Sequence, residues 1–72
     1  MSSPTVIRVA FKDTDTGTCI LQVVTYFDHS GFGAAVQEYS IDPATGRTVL
    51  ESSDEYSSEQ SAIAAWVDRA AV

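Results

Sequence analysis

One cysteine, Cys19, and one histidine, His29, limit the side-chain chemistry of this 72-residue chain. With Asp28 beside it, His29 could supply the base and orienting carboxylate of a Cys–His–Asp triad. Such a triad needs an activated thiolate held against the imidazole in an electropositive pocket. Cys19 instead falls inside an apolar run, where a thiol packs as a small, inert hydrophobe. His29 falls in a turn, where a solvated side chain is the default. Zinc fails on count, because one Cys and one His cannot supply three or four ligands. Asp13-Thr14-Asp15-Thr16-Gly17 begins like a calcium loop, but Gly17 stands where a third ligand belongs and Val24 where the bidentate acid belongs. Gly31-Phe32-Gly33 has neither the third glycine nor the lysine of a phosphate-binding loop. Asp54, Glu55 and Glu59 offer a carboxylate pair, although solvated acids ahead of a helix are the commoner reason for such a run. The expectation is a non-enzymatic protein without metal or cofactor.

The elements that carry these residues can be read from turn signals and periodicity. Residues 5–11 alternate, with Ile7, Val9 and Phe11 on one side and Val6, Arg8 and Ala10 on the other, the period of a strand. A polar turn ending at Gly17 leads into 18–27, the run densest in β-branched and aromatic residues. Asp28-His29-Ser30-Gly31 turns the chain into a third strand over 34–41. Asp42-Pro43-Ala44-Thr45-Gly46 is a hairpin signal, and 47–52 a short fourth strand. Residues 52–56 read as a polar linker. A helix over about 58–71 follows, with Ser57 or Ser58 as its cap, Ser57 and Gln60 in capping-box spacing, and Ile63, Trp66, Val67 and Ala70 as its buried stripe. The expected fold is α+β: a four-stranded antiparallel meander with one C-terminal helix on one face, ββββα, in a single domain spanning 1–72.

One helix cannot cover both faces of four strands. The second strand carries Cys19, Leu21, Val23 and Phe27 on one face and Ile20, Val24 and Tyr26 on the other. Either that second set is an open apolar face, which marks a partner or homodimer interface, or sheet curvature and the loop around Phe32 cover it.

A chain this short has a thin core, and one cysteine allows no internal disulfide. The Met-Ser-Ser-Pro start carries no basic region followed by an apolar stretch, and no run is long enough to span a bilayer. The expectation is a cytoplasmic protein with no membrane contact. Net charge is −6, and all of it falls between Asp28 and Glu59. Asp28, Glu38, Asp42, Glu51, Asp54, Glu55 and Glu59 stand against Arg47, while Asp13, Asp15 and Asp68 balance Arg8, Lys12 and Arg69. Direct nucleic-acid binding is disfavoured, since phosphate contacts need clustered bases. A basic protein partner is favoured.

The acidic Glu51-Ser-Ser-Asp54-Glu55-Tyr56 run and the helix Ser58-Glu59-Gln60-Ser-Ala-Ile-Ala-Ala-Trp66-Val-Asp68 resemble small phage-encoded inhibitors of bacterial immunity, above all anti-CRISPR proteins acting on type I systems. The resemblance is architectural and compositional, covers the whole chain and carries over no family residue. It implies a bacterial host cytoplasm and a Cas protein as partner. Surveillance complexes hold nucleic acid in basic channels, which carboxylates can occupy in place of phosphates. Glu51, Asp54, Glu55 and Glu59 are the expected contacts, with Tyr56 as an aromatic anchor. The alternative is a small homodimeric structural or adaptor module that uses Ile20, Val24 and Tyr26.

Overall fold

The computed structural model describes residues 4–15, 17–28 and 31–71. Four antiparallel strands form one sheet in sequence order: β1 (Thr5–Thr14), β2 (Gly17–Asp28), β3 (Gly31–Ile41) and β4 (Thr48–Tyr56). A single helix, α1 (Glu59–Ala70), closes the chain. The ββββα order expected from the sequence is the order found.

Strand lengths depart from expectation. β3 begins at Gly31, three residues early, because Asp28 pairs with Gly31 and Phe27 with Phe32, so that the hairpin closes over two residues. His29 and Ser30 lie outside the described residues. The stretch 52–56, expected as a polar linker, is instead the second half of β4. Its backbone pairs with β3 from Ser52↔Glu38 to Tyr56↔Ala34. Pairing overrides the weak strand propensity of Ser-Ser-Asp-Glu, as context routinely does for strands. The β3–β4 connection closes as its residues predict. Asp42 accepts from the Gly46 amide at 2.7 Å and through its side chain from Ala44 at 2.9 Å, while Gly46 takes φ +73°.

Each edge strand contains one extra residue. In β1, Val6 pairs with Val24 and Arg8 with Val23, which leaves Ile7 as a bulge. In β4, Ser52 pairs with Glu38 and Leu50 with Tyr39, which leaves Glu51 as a bulge. A bulge breaks strict alternation. The expected β1 sides are therefore redistributed. Val6, Val9 and Phe11 share one face, and Ile7 joins Ala10 beneath the helix.

Leu21, Val23, Ala34 and Val36 form the core with Ala62 of α1, and Ile7, Tyr56, Ile63 and Trp66 pack around it. Of the expected helical stripe, Ile63, Trp66 and Ala70 pack against this core and Val67 does not. Ala62 is fully buried, whereas Val67 is half-exposed. Alanine at the contact lets the helix sit close over Val23 and Val36. Trp66 is half-buried rather than enclosed, and its indole Nε1 donates to the Leu21 carbonyl at 2.8 Å. The cap is Ser58, whose hydroxyl accepts from the Ser61 amide at 3.2 Å; the Ser57–Gln60 capping box does not form. At the other end, Lys12 Nζ donates to the Arg69 carbonyl at 3.0 Å, which places a cation at the negative pole of the helix.

Candidate functional site

Twelve helical residues span about 18 Å, whereas the twelve residues of β2 span about 40 Å. The helix therefore covers about half of one sheet face and none of the other. Anchored by the core residues, the register defines the uncovered face as four rows, the last of them Asp13, Thr18, Ile41 and Thr48. Val6, Val24, Ala35 and Glu55 lie side by side across β1 to β4. Val9, Gln22, Gln37 and Ser53 form the middle row, and Phe11, Ile20, Tyr39 and Leu50 the third. Tyr26 lies beyond the first row, beside Gly33.

The face is high at its rims and low at its centre. Phe11 is 67 % exposed, and Val6, Val9 and Leu50 are each about half-exposed. Val24 and Ala35, in the middle strands, are 3 % exposed, and Ile20 and Tyr26 are intermediate. Phe32, one of the residues expected to help cover this face, pairs with Phe27 on the opposite one. The face is open, but Val24 is sheltered by its neighbours. The exposed apolar area lies mainly on β1, because the Ile7 bulge brings Val6 onto the side of Val9 and Phe11. That parity change has no sequence signature.

Several polar groups on this face are paired with one another. Gln22 Nε2 donates to Gln37 Oε1 at 3.0 Å, and the Tyr39 hydroxyl donates to the same oxygen at 3.4 Å. The Tyr26 hydroxyl donates to Glu55 at 2.8 Å, its ring lying over Gly33, where an added Cβ would come within 2.5 Å of it. Near the turn end of β1, the Thr18 hydroxyl donates to Asp13 at 3.2 Å. Asp13 and Glu55 are the acids on this face. Arg8 and Lys12 pair with Val23 and Cys19, residues of the opposite face.

The expected acidic cluster is divided by the pleat of β4. Asp54 lies on the helix side, 3.3 Å from Arg69, which also binds Glu38 at 2.9 Å. Glu51, at its bulge, accepts from the Ser40 hydroxyl at 2.7 Å, also on the helix side. Glu55 points to the open face, and Glu59 opens the helix. Tyr56 packs against the core rather than standing out as an anchor. Arg69, remote in sequence, is thus a base beside acids expected to have none.

Cys19 is half-buried rather than enclosed. It lines an open depression of about 420 Å³ with Glu38, Ser40, Asp42 and Glu51, beyond the C-terminal end of the helix. Asp28, which precedes His29, is nine residues away along the same strand, about 30 Å. Cys19 and Asp28 are therefore not brought together, and His29 lies outside the described residues. Among the described residues no group of three or more His, Cys, Asp and Glu is placed to hold a metal ion. None of the described helices is long and apolar enough to cross a membrane. No protein-family model, curated protein or solved structure matches the chain. Fold and surface define a two-layer α+β domain whose sheet is covered on one side.

Proposed function

We propose that this chain is a non-enzymatic binding protein that engages another protein through its open sheet face. The observation that carries this reading is the set of exposed Val6, Val9 and Phe11 on a face where Gln22, Gln37, Tyr39, Tyr26 and Glu55 already make hydrogen bonds among themselves. Large apolar side chains standing together on a small domain mark interaction sites. Burying paired polar groups costs far less than burying unpaired ones.

A second reading rests on the acids of β4 and the carboxylate-lined depression beside Cys19. In it, Glu51, Asp54, Glu55 and Glu59 face a basic protein surface, such as a Cas protein of a type I CRISPR complex, and the chain acts as a phage-encoded inhibitor in a bacterial cytoplasm. The exposure of Glu51 and Glu59 favours it. The Arg69 ion pair and the Tyr26 hydrogen bond weigh against it, because they already engage Asp54 and Glu55.

Capture from a bacterial lysate by three immobilised forms separates the readings. These are the native chain, Val9→Lys/Phe11→Lys, and Glu51→Lys/Glu59→Lys. The sheet-face reading expects capture to be lost in the first variant, kept in the second and insensitive to salt. Capture lost in the second variant and by salt would replace it with the acidic reading.

A further inference from the structure

We infer that the free edge of β1 is a docking site for an extended acidic segment of another protein, which adds to the sheet as a fifth strand. The inference rests on the sheet-face reading and names the partner's chemistry.

The distribution of exposed apolar groups points to the edge. In the middle of the open face Val24 and Ala35 are 3 % exposed. Of the large apolar residues about half-exposed or more on that face, Val6, Val9 and Phe11 stand on β1 and Leu50 on β4. A partner therefore meets a line along β1 more than a patch across four strands. Among the described residues no strand pairs with the outer side of β1. Its bulge falls at Ile7, near the start, and the seven residues from Arg8 to Thr14 pair with β2 without interruption. An antiparallel edge strand turns the N–H and C=O of every second residue outward, and a regular run of them is a template for strand addition. The other edge, β4, is broken near its middle by the Glu51 bulge.

Charge identifies the occupant. Arg8 and Lys12 stand on the helix side of that run, with Val9 and Phe11 on the other. Arg8 donates to the Ile7 carbonyl at 2.7 Å and Lys12 to the Arg69 carbonyl at 3.0 Å, so both are held without being neutralised. The helix-side acids are engaged elsewhere, Glu38 and Asp54 by Arg69 and Glu51 by the Ser40 hydroxyl. Residues directly opposite one another in paired strands share a face, and opposite charges there are favourable. An added strand fits when it carries acids four residues apart, opposite Arg8 and Lys12, and apolar side chains between them, beside Val9 and Phe11. Backbone bonds and apolar contacts supply the affinity, and the two bases choose among sequences.

A second β1 is the wrong occupant. Laid antiparallel about Ala10, it puts Arg8 of one copy opposite Lys12 of the other, and like charges directly opposite destabilise a pair.

NMR titration at physiological ionic strength tests this with two peptides, Thr-Glu-Val-Thr-Val-Glu-Thr and Thr-Lys-Val-Thr-Val-Lys-Thr. Each is symmetric, so either strand direction keeps the match. The net charge of −6 favours the lysine peptide. The inference expects the glutamate peptide to bind about fivefold tighter, because screening over about 8 Å leaves the local bases in control. Its binding should slow hydrogen exchange at alternate amides between Arg8 and Thr14. Arg8→Glu/Lys12→Glu should invert the preference, and Arg8→Glu alone, at an exposed position, should narrow it. A lysine preference in the native chain, equal affinities, or a preference unmoved by both variants overturns the inference. Binding that shifts Gln22 and Gln37 without protecting the β1 amides also overturns it, and keeps the sheet-face reading with the occupant over the face. If neither peptide binds, the edge inference fails, and lysate capture by the native chain against Val9→Lys/Phe11→Lys decides the sheet-face reading by itself.

Discussion

Arg69, in the last turn of the helix, donates to Glu38 on β3 at 2.9 Å and so ties helix to sheet beyond the apolar contact. The same guanidinium reaches Asp54 and the Ser52 hydroxyl on β4. Arg69→Met keeps the apolar stem and removes these contacts. Partly exposed pairs contribute about 0.5–1 kcal/mol, so urea unfolding should show a loss of about that size at low salt. The difference should narrow in high salt, where screening weakens the native pairs. An equal loss at both salt concentrations would assign the effect to packing.

Trp66 contributes area and one hydrogen bond, and two substitutions separate them. Trp66→Phe keeps most of the area and gives up the bond to the Leu21 carbonyl, an expected cost of about 1 kcal/mol. Trp66→Ala also opens the core edge and should cost about 3 kcal/mol, a large share of the roughly 5 kcal/mol at the lower end for native domains. Denaturant midpoints of the two variants check the order. Equal losses would mean the hydrogen bond contributes nothing separable.

Gly33 and Tyr26 should be coupled. Gly33 lies in a strand at ordinary φ, so the constraint is the ring above it and not backbone strain. Gly33→Ala should cost about 1–3 kcal/mol by forcing the ring aside. In a Tyr26→Ala background the same change should be close to neutral, and the double-mutant cycle reads the difference. Additive losses would show that the ring moves freely.

The exposure of these groups was legible in the sequence only where alternation is unbroken. Strands β2 and β3 keep strict period two, and the two faces assigned to β2 are the faces found. At Ile7 and Glu51 a single unpaired residue reverses the alternation, and no residue type announces it. The end of β4 was hidden for another reason. Ser52 to Glu55 carry no strand preference and are held by pairing with β3. Helix α1 was legible in extent and in most of its buried stripe, Ile63, Trp66 and Ala70, but Ala62 and Val67 exchange roles once the helix must sit close to Val23 and Val36. For the candidate surface, Ile20, Val24 and Tyr26 were found from β2 alone. Val6, Val9 and Phe11 required the bulge.

Cys19 should be accessible without unfolding. It lines an open depression, so iodoacetamide should modify it at a rate independent of denaturant below the unfolding transition. A rate that climbs with denaturant in that range would show that the thiol is reached only through local opening. Cys19→Ser should leave the sheet-face association unchanged, since the thiol lies on the opposite face.

Every strand pairs only with its neighbours in sequence, and this bears on the order in which the chain acquires its shape. Hairpins closed by a few residues lose little entropy on closure, so β1 to β4 can zip in turn as each strand becomes available. The join between Trp66 and Leu21 spans 45 positions and is the distant closure in that scheme. On a ribosome, β2 and β3 would emerge and pair before α1 exists. Until the helix docks, the sheet shows water an apolar surface on both sides, and that interval is when the chain is most exposed to aggregation.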